Sequence, residues 1–181
     1  MIRAALALAL LVAAPALAEE RSVAPCEGCL AEAIAGASPG DVLHLEDGVH
    51  EGAIIIDRPL TITGSRDAVV DGQGQGTVIT IDATDVTLTG FTVTGSGHKN
   101  QDLDAGVKIL READRALIEG LLVFENMHGI DIHGGHDARV LNNEVIGTEV
   151  LHMNERGNGI YVWNSPGTLV EGNTIRFGRD G

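Results

Sequence analysis

The chain has 181 residues, with 12 Lys and Arg against 26 Asp and Glu, so its formal net charge is -14 and its pI is near 4.7. Binding to nucleic acid depends mainly on clustered Lys and Arg, which this sequence lacks, so the composition argues against a nucleic acid partner. Apolar residues make up 44% of the chain and aromatic residues 3%, which predicts a core of aliphatic side chains. The 24 Gly residues, interleaved with β-branched residues, indicate short strands and tight turns.

The first 18 residues have the pattern of a secretory signal peptide. Arg3 supplies the basic start, an apolar run covers residues 4–12, and Ala16-Leu17-Ala18 is a small-residue cleavage motif. The apolar run is shorter than the roughly 20 residues needed to span a bilayer, and no later segment of the sequence reaches that length. We therefore expect a periplasmic protein that carries no transmembrane segment.

Cys26 and Cys29 form a C-x-x-C pair shortly after the expected cleavage site. In an exported protein this pair can close a small disulfide loop, remain as two thiols, or bind a soft metal such as Cu(I). Lipidation of Cys26 is a further alternative. A thioredoxin-like redox motif is not expected, because no βαβ pattern follows the pair.

Residues 29–37 are rich in Ala, and Leu30, Ala33 and Ile34 recur at helical spacing. Ser38-Pro39-Gly40 ends this predicted helix. From Asp41 onward the apolar residues alternate with polar residues and Gly punctuates the pattern, so only strands are expected after the helix.

Two sequence motifs recur at a shared period. The first has the form apolar-x-[GN]-x-x-apolar and its copies begin 30, 22 and 30 residues apart, at Leu88, Ile118, Val140 and Val170. The second has the form Gly-[IV]-x-[IV] and begins at Gly106, Gly129 and Gly159. Interleaved strand motifs with a period of about 22 residues are typical of a solenoid.

The fold class that follows is all-β: a right-handed parallel β-helix with coils of about 22 residues and an N-terminal capping helix. We expect a signal peptide over residues 1–18, an N-terminal segment with the capping helix over 19–40, and the β-helix over 41–181. The helix would cover the open edge of the first coil. A further step of 22 residues from Gly159 reaches Gly181, so we expect that part of the β-helix is missing at the C-terminal end.

The repeat register predicts which side chains share a column. Residues 107, 109, 130, 132, 160 and 162 would point inward, and their alternates would face solvent. One predicted outer column contains Lys108, Asp131 and Tyr161, and its neighbour contains Leu110, His133 and Trp163. The exposed aromatic residues indicate either a partner or sugar surface or ordinary packing between coils.

Asn143 and Asn173 occupy another column of the predicted coils, at a tight corner. Stacked amides at such a corner can satisfy each other and the backbone of the turn. We therefore expect a structural Asn ladder.

Three loops of the predicted coils, at residues 94–105, 124–128 and 147–158, emerge at one corner. They bring together the candidate metal ligands His98, Met127, His128, His152 and Met153. Imidazole and thioether groups are ligands for a soft or borderline ion, so we expect copper here, with Cys26 and Cys29 as a weaker candidate pair. Carboxylates on the same loops could favour calcium, although their spacing fits no compact calcium loop. Solvated loop residues are the remaining interpretation.

The sequence resembles the NosD family of nitrous oxide reductase maturation proteins, which are periplasmic right-handed β-helices. The resemblance covers nearly all of the chain after the signal peptide. Its most specific part is the pair of segments at residues 156–164 and 179–181, which occur in that order. The segments that carry it are ASPGDVL at residues 37–43, IDRPLTI at 56–62, VDGQG at 70–74, GSG at 95–97, DAG at 104–106, RGNGIYVWN at 156–164 and RDG at 179–181.

This resemblance implies a non-enzymatic role in denitrification. Family members work with the membrane subunits of an ABC transporter and with a copper chaperone to deliver copper into nitrous oxide reductase. The resemblance supplies no list of metal ligands, so the copper corner depends on the register alone.

A second hypothesis is a β-helix polysaccharide hydrolase or lyase, for which Asp102, Asp104, Asp131 and Asp137 would supply carboxylates. The register opposes a close acid pair, because Asp131 lies on a strand whereas Asp102 and Asp104 lie on a loop insertion. A third hypothesis is a purely structural or adhesive solenoid.

Overall fold

The computed structural model describes residues 18–149 and 152–179. The predicted signal peptide therefore lies outside the described residues, except for its last position. Within the described ranges, no helix is both long and apolar enough to cross a membrane.

The described part of the chain contains one α-helix, eighteen short strands and two short 3-10 helices, Asn100–Asp102 and Met153–Glu155. The strand β1 (Glu20–Val23) precedes the helix α1 (Cys29–Ala35). The other strands follow in chain order: β2 (Val42–Leu45), β3 (Gly48–Glu51), β4 (Ile54–Ile56), β5 (Thr61–Thr63), β6 (Ala68–Asp71), β7 (Ile79–Ile81), β8 (Thr87–Thr89), β9 (Thr92–Thr94), β10 (Ala105–Ile109), β11 (Leu117–Glu119), β12 (Leu122–Phe124), β13 (His128–His133), β14 (Arg139–Leu141), β15 (Glu144–Ile146), β16 (Ile160–Trp163), β17 (Leu169–Glu171) and β18 (Thr174–Arg176).

The strands form three parallel sheets, and each complete coil contributes one strand to each sheet in the same order. Sheet A has the order β1-β2-β5-β8-β11-β14-β17, sheet B the order β18-β15-β12-β9-β6-β3, and sheet C the order β16-β13-β10-β7-β4. Strands that pair in a sheet come from consecutive coils, which confirms the parallel β-helix. The pairings Lys108 with Asp131, Asp131 with Tyr161, and His133 with Trp163 confirm the predicted register.

The interior is filled by aliphatic side chains from all three sheets. Leu43, Ile62, Leu88, Ile118 and Val140 form one inward column of sheet A, and all are fully buried. Fully burying such a side chain contributes about 1.5–3 kcal/mol, so the columns supply most of the driving force for stacking. The low aromatic content is consistent with this thin interior.

Gly is required where the second motif opens, because the chain turns tightly there into sheet C. A Cβ atom at Gly129 would collide with the backbone oxygen of Gly159 in the next coil. A Cβ atom at Gly106 would come within 2.7 Å of the Val123 side chain. The recurring Gly in the sequence therefore marks a steric limit on how closely coils and sheets approach.

The helix α1 begins at the predicted residue and ends at Ala35, two residues before the predicted end. It buries Leu30 and Ile34 against the first coil. The strand β1 was not expected, and it pairs with β2 at the edge of sheet A. The segment before residue 41 therefore supplies a strand as well as a helix.

The inward positions of sheet C are as predicted in the inner coils but not at its edge. Val107, Ile109, Ile130 and Ile132 are fully buried, whereas Ile160 is half-buried and Val162 is 43% exposed. Both of these residues lie on β16, which is an edge strand of the described sheet. Their exposure follows because within the described residues no coil stacks on the outer side of β16.

The predicted Asn ladder is confirmed at the corner between sheets A and B. Asn143 Oδ1 accepts from the Leu121 N–H at 2.9 Å, and its Nδ2 donates to the Ile118 carbonyl at 3.0 Å. The same Nδ2 and the Asn143 N–H both donate to Asn173 Oδ1 at 2.9 Å. One amide therefore satisfies buried polar groups in three coils.

Replacing Asn143 by Ala should lower the stability of the fold by about 1–3 kcal/mol, because buried backbone groups lose their partners. The measurement is the urea midpoint of unfolding, followed by circular dichroism. Asn154, which is exposed on a loop, provides the control substitution Asn154→Ala, with an expected change within about 0.5 kcal/mol. Equal midpoints for the two variants would contradict a structural role of the ladder.

Candidate functional site

The three loops between sheet B and sheet C emerge at one corner of the coils, as the sequence predicted. Two buried side chains hold the first two loops together. Asn126 Oδ1 accepts from the Ser96 N–H at 3.0 Å, and the Met127 N–H donates to Ser96 Oγ at 2.8 Å. Asn126 and Ser96 were not singled out from the sequence, although an Asn at a coil corner is the same signal as the Asn ladder.

This arrangement places His98 and Met127 in the wall of one small cavity at the corner. The cavity has a volume of about 10 Å³, which is room for one water-sized atom. Arg156 and Phe177 line the same cavity. We call this space the corner cavity.

Arg156 is held at the wall by interactions that include a hydrogen bond and a contact with an aromatic ring. Its Nη2 donates to the Glu149 carbonyl at 2.8 Å, and its guanidinium carbon lies 5.7 Å from the centre of the Phe177 ring. Any ion in the corner cavity therefore shares it with a positively charged side chain.

His128 is not in an open loop, as the motif spacing had placed it, but is the first residue of β13 and is 3% exposed. Its Nδ1 accepts from the Asn158 N–H at 3.1 Å, so the proton is on Nε2, which lies 2.9 Å from Asn100 Oδ1. Burial lowers the pKa of His128. Both ring nitrogens are used by the fold, and a metal would have to displace one of these hydrogen bonds.

His152 and Met153 lie on the long loop and are exposed, Met153 by 66%. Among residues 18–149 and 152–179, no three His, Cys, Asp or Glu side chains are grouped so that they could hold a metal ion together. Copper binding at this corner therefore stays a prediction. The geometry brings His98 and Met127 to one cavity, buries His128 and leaves His152 and Met153 in solvent.

Cys26 and Cys29 are joined by a disulfide in the structure. This matches the disulfide alternative, and a disulfide offers no thiolate to a metal. As a soft-metal pair the two residues would first have to be reduced.

A second candidate site lies on the outer surface of sheet C. It is a cleft of about 470 Å³, within the range of small-molecule sites. Asp131 and His133 line it together with Asp82, Leu103, Lys108, Leu110, Arg111 and Glu112. We call it the sheet C cleft.

Asp131 was expected in a solvent-facing column, and this expectation is wrong, because its side chain is only 1% exposed. Lys108 lies beside Asp131, and its Nζ donates to the Asp102 carbonyl at 3.0 Å. Neither carboxylate oxygen of Asp131 has a hydrogen-bond partner. Lys108 Nζ lies 3.9 Å from Oδ2, and His133 Nδ1 lies 3.7 Å from Oδ1.

Burial raises the pKa of Asp131 above its ordinary value, and the nearby Lys108 and His133 only partly oppose this effect. An ionisable group whose charged form is disfavoured by its own fold is more typical of a functional site than of a structural one. Packing alone therefore does not explain why a carboxylate occupies this buried position on the outer face of sheet C.

Aromatic side chains adjoin the cleft on the side of β16. The rings of His133 and Trp163 are 4.6 Å apart between centroids, and those of His133 and Tyr161 are 6.4 Å apart. Trp163 is 45% exposed, as predicted, whereas Tyr161 is half-buried.

The other carboxylates of the enzyme hypothesis are not gathered around Asp131. Asp102 and Asp137 are exposed, and Asp104 is buried in the loop, where its Oδ2 accepts from the Lys99 N–H at 2.9 Å. None of these three lines the sheet C cleft.

Solved structures with a similar fold are carbohydrate enzymes. An alginate lyase of family PL6, AlyGC, aligns with a TM-score of 0.58 and 20% identity over 90% of this chain and 29% of its own length. The pectin methylesterase PemA from Erwinia chrysanthemi aligns with a TM-score of 0.55 and 15% identity over 91% of this chain and 67% of its own. At this level of identity the similarity shows the fold alone. It defines the chain as a right-handed parallel β-helix protein.

Curated relatives narrow the class further, although no family model matches the chain. Over 137 residues, or 76% of the chain, it is 33% identical to the probable ABC transporter binding protein NosD of Stutzerimonas stutzeri. It is 31% identical over the same length to the protein of that name in Pseudomonas aeruginosa. The chain is therefore a NosD-like protein. It spans about a third of the length of these relatives, 31% and 32%.

Replacing Asp131 by Asn should stabilise the fold at neutral pH. Because the folded pKa is raised, the wild-type protein loses stability as the pH rises from the ordinary value of 3.8 through the folded pKa, and the variant does not. The difference in urea midpoint should thus be largest at neutral pH and shrink as the pH falls toward 3.8.

The matched control is Asp67→Asn, which removes an exposed carboxylate from another sheet. Its midpoint should follow the wild type at each pH. An Asp131→Asn variant that is less stable than the wild type at neutral pH would mean that attraction to Lys108 and His133 outweighs the burial of the charge.

Proposed function

We propose that this chain is part of a periplasmic accessory protein that delivers copper during the maturation of nitrous oxide reductase. Its partners in this role are the membrane subunits of an ABC transporter, a copper chaperone and the reductase itself. The similarity to NosD proteins, whose name describes ABC transporter binding, supports this role. The secretory pattern of the first 18 residues supports the compartment.

The observation that carries the proposal is that His98 and Met127 line the same corner cavity. An imidazole and a thioether together suit Cu(I) and offer little to magnesium or calcium, which take oxygen ligands. The cavity has room for one atom of the size of an ion or a water molecule. Copper is here the cargo of the protein and not a resident cofactor.

The charge of the site favours the monovalent ion. Imidazole and thioether groups are neutral ligands, and His98 and Met127 both line the corner cavity. Two neutral ligands leave more charge uncompensated on a divalent ion than on a monovalent one, so Cu(I) is favoured. A pair of neutral ligands also binds less tightly than a complete ligand set, which suits an ion that has to be passed on.

His152 and Met153 provide a second pair of the same chemistry on an exposed loop of the same corner. Their exposure makes them accessible to a donor or acceptor protein. We propose that they receive or release the ion, while His98 and Met127 hold it. His128 supports the corner through its hydrogen bonds rather than through the metal.

The proposed role is non-enzymatic. General acid and base catalysis of glycoside cleavage uses two carboxylates on either side of the bond. Asp82 and Glu112 line the sheet C cleft together with Asp131, but none of Asp102, Asp104 and Asp137 does. The carbohydrate enzymes share only the fold with this chain, whereas its curated relatives carry the name NosD, so the polysaccharide enzyme hypothesis has less support than copper delivery.

The double substitution His98→Ala and Met127→Leu should weaken Cu(I) binding by about tenfold or more, because both proposed ligands are lost. The measurement is competition between the purified chain and a coloured Cu(I) chelator under reducing conditions. The control is His136→Ala, which removes an exposed imidazole far from the corner cavity in the coil and should leave the affinity unchanged. Wild-type affinity in the double variant would contradict the assignment of the site.

The same double substitution, introduced into the gene that encodes this chain, should lower the copper content of nitrous oxide reductase purified from that strain. His136→Ala again serves as the control, and immunoblotting shows that both variants accumulate normally. A reductase with its full copper content in the double-variant strain would contradict copper delivery through the corner cavity, whether or not the purified chain binds Cu(I).

A further inference from the structure

Asp131 presents a carboxylate that the fold has enclosed without giving it a hydrogen bond. Its side chain is 1% exposed, and neither oxygen has a partner. A buried carboxylate normally accepts hydrogen bonds, because burial without them is costly. The Lys108 ammonium and the His133 imidazole lie beside it but stay beyond hydrogen-bond distance, at 3.9 and 3.7 Å. Both carboxylate oxygens of Asp131 can therefore accept hydrogen bonds from a bound ligand.

The charges around Asp131 limit the kind of ligand that can supply those donors. Asp82 and Glu112 disfavour an anion in the sheet C cleft, as does the net charge of the whole chain. Lys108 and Arg111 disfavour a cation. A neutral ligand rich in hydroxyl groups meets neither repulsion, and its hydroxyls can donate to the carboxylates and accept from the cations.

The aromatic residues beside the cleft add an apolar platform. His133 and Trp163 are in contact, with ring centroids 4.6 Å apart, and Trp163 is 45% exposed on β16, the edge strand of the described sheet C. An exposed indole beside a polar cleft can bury the carbon face of a ring while its edge stays hydrated. A ring with one apolar face and a rim of hydroxyls fits both the platform and the unsatisfied carboxylate.

We propose that the sheet C cleft binds a neutral saccharide, with one ring packed on Trp163 and two neighbouring hydroxyls donating to the carboxylate of Asp131. Two hydroxyls on adjacent carbons match the two oxygens of one carboxylate. This site lies on the outer surface of sheet C, so it is separate from the corner cavity and does not depend on copper delivery.

Access to Asp131 requires Lys108 and His133 to turn outward. Neither side chain is hydrogen-bonded to the carboxylate, so their movement breaks only ion-pair contacts at 3.9 and 3.7 Å. Lys108 also gives up its bond to the Asp102 carbonyl, which ties the loop before β10 to the cleft. Once turned, both side chains can donate to the ring oxygen or hydroxyls of the ligand.

Trp163 is the only Trp of the chain, so its fluorescence reports on this face alone. The experiment titrates the purified chain with cellotriose, maltotriose and triacetylchitotriose, and with trigalacturonate as an anionic counterpart. We expect a saturable change in fluorescence with at least one neutral trisaccharide and about tenfold weaker binding of trigalacturonate. No saturable change with any neutral trisaccharide, or tighter binding of trigalacturonate, would overturn the proposal.

Asp131→Asn tests the role of the carboxylate, because it keeps the shape of the side chain and removes one acceptor. Its affinity for the trisaccharide should fall by about tenfold or more, while Asp67→Asn keeps the wild-type affinity. Since Asp131→Asn should not destabilise the fold, a loss of binding would not reflect unfolding, and a coincident or higher urea midpoint confirms this. Wild-type affinity in Asp131→Asn would overturn the assignment.

Trp163→Phe tests the platform, with isothermal titration calorimetry replacing fluorescence. A smaller aromatic face should retain weakened binding, and Trp163→Ala should abolish it. Chromatography of the trisaccharide after incubation provides the last readout, and recovery of the intact sugar supports binding without cleavage. Release of shorter sugars would overturn the proposal of a binding site in favour of an enzyme.

Discussion

The ladder of backbone hydrogen bonds between successive coils is the constraint on which the rest of this structure depends. Each strand pairs only with the equivalent strands of neighbouring coils, as Ile118 does with Leu88 on one side and Val140 on the other. Because the pairing is parallel and in register, residues at equivalent positions form straight columns. Burial, the Asn ladder and the outer face of sheet C all follow from that alignment, and loops of different length leave it unchanged.

The architecture could be predicted because the tight places of each coil require particular residues. Gly129 leaves no room for a Cβ atom beside Gly159, and Asn143 bonds to Asn173, so both residue types recur at the repeat period. The strand β1 has neither signal, since it lies before the helix and outside the repeats. A repeat period in the sequence predicts only those residues that every coil requires. It cannot predict β1, because this strand occurs once and outside the repeats.

The environment of the candidate sites depends on contacts that do not repeat, and these were harder to predict. The register placed Asp131 on the outer side of its sheet, but its side chain is buried there beside Lys108 and His133. The meeting of His98 and Met127 could be expected from the shared corner, whereas the burial of His128 could not. It results from two hydrogen bonds to neighbouring loops, at Asn100 and Asn158.

The loop before β10 takes part in both candidate sites, because it contributes His98 to the corner cavity and Leu103 to the sheet C cleft. Leu103 has a φ of 53°, a backbone conformation that a Leu residue adopts only under constraint from its surroundings. A ligand that changed the conformation of this short segment at one site would change the free energy of binding at the other. Such thermodynamic coupling is reciprocal, so each site would act as a sensor of the state of its neighbour.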